Sequence, residues 1–203
     1  MKEFWNARYQ EEAYAYGKEP NVFLQKELPK LKPGKALFPA EGEGRNAVFA
    51  AKLGWEVTAF DFSEEARKKA ENLAKEMQVN LDYQVSSLEE FSAEPDSFDL
   101  LVLIFAHFPA GKRREFHRNL VEFLKPGGLL ILEGFSKDHL RFNSINAKAG
   151  GPKDESMLFS LEELKGDFTG MKFRIFEEKE TVLQEGEYHD GQSAVVRILA
   201  KKR

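Results

Sequence analysis

The chain has 203 residues, of which 42% are hydrophobic and 32% charged, and its formal net charge is −4. This composition is typical of one globular domain, and the near balance of charges argues against nucleic acid or an anionic membrane as the main partner. The absence of cysteine excludes disulfides, thiolate nucleophiles and zinc–thiolate sites, and we expect no metal site from the four histidines.

The first residues, Met1 to Trp5, include charges and no apolar run. We therefore expect neither a signal peptide nor a transmembrane span, and a cytoplasmic protein. The segment before residue 35 is dense in large apolar side chains, which are Phe4, Trp5, Tyr9, Tyr14, Tyr16, Phe23, Leu24 and Leu28. This density predicts that residues 1–34 form helices that pack on the rest of the chain.

From residue 35 onward, short apolar runs alternate with segments whose apolar residues recur at helical spacing. This alternation predicts a parallel sheet flanked by helices. The predicted strands are Lys35–Pro39, Glu56–Asp61, Leu81–Val85, Phe98–Phe105 and Leu129–Glu133.

Three helices are predicted between these strands. The first ends at Gly54, the second begins with Ser63 as its N-cap, and the third ends at Lys125–Gly128. Their buried faces are formed by Val48, Ala51 and Leu53, by Ala66, Ala70, Leu73 and Met77, and by Phe116, Leu120 and Phe123.

The end of the chain has a different pattern. Two β-rich stretches, Met171–Leu183 and Ser193–Lys201, flank residues 184–192 without a helix between them, so they should pair as an antiparallel hairpin. We therefore predict an α/β fold: a mostly parallel, seven-stranded Rossmann-like sheet with helices on both faces and a C-terminal antiparallel hairpin. Residues 143–152 have the composition of a flexible surface loop.

A glycine-rich turn follows the first strand and opens the next helix. Gly42 and Gly44 lie in this turn, where the missing Cβ lets a ligand approach the backbone. Asp61 ends the second strand 17 residues after Gly44, near the spacing of about 20 residues at which an acid binds ribose hydroxyls. Ligands bind at the carboxyl ends of such strands, which here are residues 40–46, 61–62, 86–88 and 105–108.

The same loop satisfies the pattern G-x-G-x-x-A of nicotinamide and flavin enzymes. A pyrophosphate needs a helix N-terminus without nearby anions, yet Glu41 and Glu43 crowd this loop. S-adenosyl-L-methionine carries no phosphate but has an ammonium and a sulfonium, so we favour it as the cofactor. An NAD(P)-dependent oxidoreductase and a non-catalytic S-adenosylmethionine-binding protein remain the alternatives.

Several segments resemble class I S-adenosylmethionine-dependent methyltransferases, and within them the branch of tellurite-resistance and thiopurine methyltransferases. The segments that carry this resemblance are residues 5–9, 16–21, 42–46, 57–63 and 124–128. The chain departs from the family at Phe38, Ala40 and Ser86 or Ser87, where the family usually has an acid, a glycine and an aspartate. The resemblance implies methyl transfer to a small-molecule acceptor, such as a thiol or a chalcogen oxyanion.

We predict one domain over residues 1–203, with residues 1–34 as a helical cap over the cofactor pocket and residues 35–203 as the Rossmann-like core. We expect a monomer or weak dimer whose partner is the small-molecule acceptor, without nucleic acid or membrane. The predicted cofactor-binding residues are Ala40, Glu41, Gly42, Gly44, Asn46, Asp61, Phe62, Ser87, Leu88 and Phe105.

His107 is the candidate catalytic base, because it follows the central strand and histidine titrates near neutrality. It could equally be a strand-end histidine bonded to the backbone. The candidate substrate-binding residues are Tyr16, Tyr188 and His189. The remaining basic positions, which are Lys112–Arg114, His117 and His139, are predicted to be a solvated helix start, a surface helix position and a loop position.

Overall fold

The computed structural model describes residues 2–203. The chain divides into two compact units, the first ending at Ser92 and the second spanning Ala93–Arg203. Within residues 2–203, no helix is long and apolar enough to cross a membrane.

The first unit combines helices with three parallel strands. Strand β2 pairs with β1 on one side and with β3 on the other. The elements are α1 (Lys2–Tyr9), α2 (Val22–Glu27), a 3₁₀ turn (Leu28–Lys30), β1 (Lys35–Pro39), α3 (Arg45–Lys52), β2 (Glu56–Asp61), α4 (Glu64–Glu76) and β3 (Asp82–Val85).

Local cap chemistry sets where these helices begin. The Ser63 hydroxyl accepts a hydrogen bond from the Ala66 amide at 3.2 Å, which makes Ser63 the N-cap of α4 as predicted. Asn21 caps α2 in the same way, through the Leu24 amide at 3.0 Å. Of the predicted apolar face of α4, Ala66, Ala70 and Leu73 are buried, whereas Met77 is the half-buried C-cap. The helices therefore form where the sequence pattern places them.

The second unit contains four strands. Strand β4 pairs with β5 in parallel, and β7 pairs antiparallel with both β5 and β6. The elements are β4 (Phe98–Ile104), α5 (Ala110–Glu122), β5 (Leu124–Phe135), α6 (Leu140–Asn143), α7 (Leu161–Asp167), β6 (Met171–Gln184) and β7 (Asp190–Lys202), with 3₁₀ turns at Lys137–His139, Ala147–Ala149 and Glu155–Met157.

The strand order is β3-β2-β1-β4-β5-β7-β6 in a seven-stranded sheet. The predicted α/β fold with a C-terminal antiparallel hairpin is thereby confirmed. Two strands begin earlier than predicted: β7 begins at Asp190, and Lys125–Gly128 lies inside β5 and does not end the preceding helix. The reason is that β5 already pairs Leu124 with Phe98 and then bulges before Leu129 pairs with Leu100.

Three polar side chains predicted to face solvent are buried instead. His117 and His139 are 0% exposed and Arg113 is 7% exposed. Their burial is possible because each finds hydrogen-bond partners inside the unit, including Asp167 for both Arg113 and His117. The predicted surface loop 143–152 is also partly packed, since Ala149 is 0% exposed.

Candidate functional site

The loop of residues 40–46 joins β1 to α3 through left-handed backbone. Ala40, Gly42 and Gly44 have φ values of 50°, 63° and 87°. A Cβ built on Gly42 would lie 2.8 Å from the hydroxyl oxygen of Tyr9, and one on Gly44 would lie 2.5 Å from the Cβ of Ala70. Glycine is therefore needed at both positions, for close approach to a tyrosine and for packing on α4 respectively.

Asp61 fixes this loop to the end of β2. Its Oδ2 accepts from the Gly42 amide at 3.2 Å and its Oδ1 from the Ser63 amide at 3.0 Å. The side chain is well enclosed, with Asp61 only 6% exposed, and burial raises its pKa to about 6. The predicted glycine loop and the predicted ribose-binding acid are thus in direct contact.

Glu41 caps α3 from inside the loop. Its Oε1 accepts from the Asn46 amide at 2.9 Å and from the Ala47 amide at 2.8 Å. These N–H groups belong to the first turn of α3, where an anion is normally favoured. Desolvation raises the pKa of the Glu41 carboxyl to about 8, although both backbone bonds and Arg45 oppose the shift. The helix terminus is therefore occupied by the protein's own carboxyl group.

Glu43 is the second acid of the loop and is 4% exposed. Its Oε1 pairs with the Lys69 ammonium at 2.7 Å, and Lys69 also donates to the Ala13 carbonyl at 2.6 Å. The other oxygen, Oε2, is buried and has no hydrogen-bond partner within residues 2–203. Burial raises the pKa of Glu43 as well. Three desolvated carboxyl groups, those of Glu41, Glu43 and Asp61, thus lie at or beside the loop, and Glu43 is paired with Lys69 of α4.

In the second unit, both ring nitrogens of His107 are bonded to backbone. Nδ1 lies 2.9 Å from the Met157 carbonyl, and Nε2 accepts from the Phe135 amide at 3.0 Å. Nδ1 therefore carries the proton. Burial lowers the pKa of His107 to about 4, and its ring stacks on Phe159 at 4.4 Å. This is the backbone-bonded arrangement that the sequence left open beside a catalytic one.

The residues that connect β6 to β7 are packed rather than free. His189 is 5% exposed, and its ring lies 4.4 Å from Phe105 and 5.1 Å from Phe135. A Cβ on Gly150 would lie 1.9 Å from the Tyr188 carbonyl oxygen. The segment 143–152 therefore packs closely against this end of the hairpin. The structure brings the predicted residues Phe105 and His189 together.

Residues 39–128 match a family model described as "Methyltransferase domain". This range contains the loop of residues 40–46, all of β2 and its last residue, Asp61. These residues therefore carry a methyltransferase domain, and the chain has the fold of S-adenosylmethionine-dependent methyltransferases. The predicted family resemblance and the predicted cofactor class are confirmed.

Known methyltransferases align with this domain over different lengths. The "Ubiquinone biosynthesis O-methyltransferase" of Xanthomonas campestris pv. campestris is 35% identical over 104 residues, which are 50% of this chain and 43% of that protein. The chain thus matches less than half of that curated relative. A methyltransferase structure from Methanosarcina mazei has a TM-score of 0.70 at 20% identity over 91% of this chain and 98% of the other. TehB from Haemophilus influenzae has a TM-score of 0.72 at 17% identity over 100% of this chain and 67% of the other.

Two tyrosines that lie against Gly42, Tyr9 of α1 and Tyr83 of β3, were missed as site residues. Tyr83 donates from its hydroxyl to the Gly42 carbonyl at 2.5 Å, and the Tyr9 ring stacks on Trp5 at 5.5 Å. Burial raises the pKa of both phenols well above their usual range, so both remain neutral. Tyr9 belongs to the segment 5–9 that carried the family resemblance, whereas nothing in the short β3 pattern distinguished Tyr83.

The other predicted residues of the first unit have their own partners. Asn46 Oδ1 accepts from the Asn21 amide at 2.9 Å, and Tyr16 accepts from Arg8 Nη1 at 2.9 Å. Ser87 bonds Glu90 through its amide and hydroxyl at 3.1 and 2.9 Å. Two further predicted residues, Phe62 and Leu88, are half-buried. The ligand-binding roles of all these residues stay predictions.

Proposed function

We propose that the protein transfers a methyl group from S-adenosylmethionine to a small-molecule acceptor, with residues 40–46 and Asp61 as the cofactor site. The observation that carries this proposal is the Glu41 carboxyl group at the N-terminus of α3. In dinucleotide-binding folds that terminus supplies N–H donors to a pyrophosphate. Here Glu41 takes those donors, so a pyrophosphate would meet an acid where it needs a hydrogen-bond donor.

The residues present fit the proposed cofactor. Asp61 accepts one backbone bond on each oxygen, and a carboxylate keeps further lone pairs for two ribose hydroxyls. The Tyr9 hydroxyl lies in the space that a Cβ on Gly42 would need. Because Asp61 and Tyr9 are each 6% exposed, we propose that the Tyr9 side chain moves when the ribose enters. Further proposed cofactor-binding residues are Ala40, Gly44, Asn46, Phe62, Ser87 and Leu88.

S-adenosylmethionine, when bound, supplies an electrophilic methyl group on a sulfonium. The chain's own contribution is to orient the acceptor and exclude water, since holding two reactants in line lowers a barrier by roughly 7 to 11 kcal/mol. A general base is needed only if the acceptor must lose a proton. The roles of Phe105, His107, Tyr188 and His189 on the cofactor or acceptor side stay predictions, as do a monomeric or weakly dimeric state and a cytoplasmic location.

We propose a compact, soft acceptor such as a thiol or a chalcogen oxyanion. The branch resemblance of the sequence supports this class, and TehB shares the fold. A hydroxyl acceptor is the second candidate, because the curated relative from Xanthomonas is named as an O-methyltransferase. Incubating the protein with labelled S-adenosylmethionine and one acceptor of each class separates the two.

Calorimetric titration tests the cofactor assignment directly. We expect S-adenosylmethionine and its demethylated product S-adenosylhomocysteine to bind, and added NADPH to show no change in fluorescence. If neither methionine derivative binds, the proposal is wrong, and NADPH binding in their place would favour the oxidoreductase alternative. Tight cofactor binding without any methylated product across the acceptor panel would instead favour a binding protein that lacks turnover.

A further inference from the structure

A concavity of about 480 Å³ lies in the second unit, where β5 and β6 begin and β7 ends. Apart from Gly127, every residue that lines it is basic, and these residues are Lys172, Arg174, Lys201, Lys202 and Arg203. The whole chain carries a formal net charge of −4, so this surface has the opposite sign. Ligands of open α/β sheets bind at the carboxyl ends of the strands, whereas this concavity lies where β5 begins. Methyl transfer therefore does not account for these basic residues.

The pairing of β6 with β7 brings the positive charges together. Lys172 is the direct partner of Lys201 in the antiparallel ladder, so both side chains project from the same face of the sheet. A β-bulge leaves Arg174 without a partner on β7, and its side chain lines the same concavity. The Lys201 stem crosses Gly127, where a Cβ would lie 3.4 Å from the lysine Cε. Because like charges directly opposite each other destabilise a sheet, this arrangement costs the fold stability.

Carboxylates of the protein neutralise only part of this charge. Lys202 pairs with Asp96 at 2.9 Å, and its side chain is 23% exposed. Within residues 2–203, no carboxylate oxygen lies within 4.0 Å of a side-chain nitrogen of Lys172, Arg174 or Lys201. These three side chains are exposed, so a ligand can reach them. Three accessible cations thus surround one concavity without an anion of the described chain beside them.

We propose that this concavity is a binding site for a small ligand that carries two or more linked phosphate groups. Linked phosphates place several negative charges close together, which matches several cations around one concavity. Arginine binds phosphate oxygens through two parallel N–H donors, and lysine binds them as a point charge. The volume is that of a small-molecule site, which favours a compact ligand over an extended nucleic-acid backbone. The proposal does not depend on the methyltransferase function.

The lining also indicates which part of the ligand is recognised. It contains no aromatic or aliphatic residue on which a base or an acyl chain could pack. The phosphate groups themselves should therefore supply the affinity. We expect free tripolyphosphate and a nucleoside triphosphate to bind about equally well.

Calorimetry in magnesium-free buffer tests for the site with tripolyphosphate, orthophosphate and CTP as probes. We expect tripolyphosphate to bind at least about 10-fold more tightly than orthophosphate, because it offers more charge to the same cations. CTP should match tripolyphosphate, and added salt should weaken both. Equal affinity for orthophosphate and tripolyphosphate, or no binding of either, would overturn the proposal. Much tighter binding of CTP than of tripolyphosphate would also contradict it, because a base would then be recognised.

A double variant locates the binding. Lys172→Gln combined with Lys201→Gln removes two charges and keeps most of each stem, and we expect it to weaken tripolyphosphate binding roughly 10- to 100-fold. The matched control combines Lys148→Gln with Lys153→Gln, which removes two exposed charges of the same unit outside the concavity. The control should lose less than about 2-fold. An equal loss in both double variants would mean that net charge alone attracts the anion, and the site would be refuted.

Thermal unfolding separates loss of binding from loss of the fold. Because Lys172 and Lys201 repel each other, their double variant should melt at the same temperature as the ligand-free wild type or higher. Tripolyphosphate should raise the Tm of the wild type and of the control, but not that of the site variant. A Tm increase that persists in the site variant would place the anion elsewhere. An RNA oligonucleotide that binds the wild type without competition from tripolyphosphate would show an extended polyanion surface in place of the proposed site.

Discussion

The buried carboxyl groups of the two units have pKa values that are shifted in opposite directions. In the first unit, burial raises the pKa of Glu41 to about 8 and that of Asp61 to about 6. In the second unit, burial also raises the pKa of Asp167, but hydrogen bonds from His117 and Arg113 outweigh it and the pKa falls to about 2. The Asp167 side chain is 0% exposed, so solvent exposure does not explain the contrast.

The hydrogen-bond donors around each carboxyl group explain why the pKa shifts differ in direction. Asp167 accepts from Arg113 Nε at 2.9 Å, from Arg114 Nε at 3.2 Å and from His117 Nδ1 at 3.0 Å. Two permanent cations and an imidazole stabilise the anion and join α5 to α7. Glu41 and Asp61 receive backbone amides instead. A carboxyl that is fully satisfied by side chains is suited to structure, whereas one that is partly satisfied is suited to binding a cationic or hydroxyl-bearing ligand.

The largest effect on stability should come from removing Asp167, the carboxyl group that has side-chain donors. Asp167→Ala removes the buried partner of Arg113 and His117 and leaves Arg113 only Glu163 at 3.7 Å, and breaking such a buried pair typically destabilises a protein by about 3 to 5 kcal/mol. Urea denaturation at pH 7 measures the loss. The control is Asp99→Asn, which breaks an exposed pair with Lys125 and should cost less than about 1 kcal/mol. An equal loss of stability in both variants would mean that Asp167 and its partners stabilise the fold no more than an exposed ion pair does.

Removing the charge of Glu41 should instead increase the stability of the folded protein at high pH. The folded-state pKa of about 8 lies above the ordinary value of 4.5, so the folded protein holds a proton that the unfolded chain has released between these values. Stability is therefore lost as the pH rises from about 4.5 to 8. We expect Glu41→Gln to unfold at higher urea than wild type at pH 9, by about 2 to 4 kcal/mol, and to match it near pH 4.

The pH profile of the wild type sharpens the same contrast. Asp61 adds to the loss between its ordinary value of 3.8 and about 6. Asp167 has a lowered pKa, so its contribution is present above pH 3.8 and is lost as the pH falls toward about 2. A Glu41→Gln variant that is less stable than wild type at pH 9 would contradict the account of the loop.

Asp61→Ala should reduce cofactor affinity by a smaller amount. Losing charged hydrogen bonds to the ribose typically costs about 1.5 to 3 kcal/mol, or roughly 10- to 150-fold in binding. Calorimetry with the demethylated product isolates this effect, because the product retains the ribose. Glu56→Gln serves as the control on the same strand. Unchanged affinity in Asp61→Ala would place the ribose elsewhere.

Local sequence signals predicted most of the fold. The bounds of β1 and β2, the Ser63 cap and the terminal hairpin all follow from apolar runs, cap chemistry and turn residues that act over a few positions. The contact between Gly42 and Asp61 also followed, because the carboxyl ends of parallel strands meet at one edge of the sheet.

Hydrogen bonds between residues far apart in the sequence could not be predicted from such local signals. The partners of Asp167 lie about 50 residues earlier in the chain, and α7 itself was not predicted, so Arg113 and His117 looked like surface positions. Likewise, the direction in which Glu41 points depends on the left-handed backbone of Ala40 and Gly42 rather than on residue type. Polar residues on an amphipathic pattern are assigned to solvent unless their partner is known.

His107 provides a third, intermediate case, in which a buried titratable group has neutral partners on both sides. Its Nδ1 donates to Met157 and its Nε2 accepts from Phe135, so protonation would place a second N–H against the Phe135 amide. We expect NMR titration to show a neutral ring with the proton on Nδ1 down to about pH 5, consistent with a pKa of about 4. The same ring in urea should titrate near 6.5, which provides the control. A ring that titrates near neutrality in the folded protein would instead support His107 as the general base, because a base must exchange its proton at the working pH.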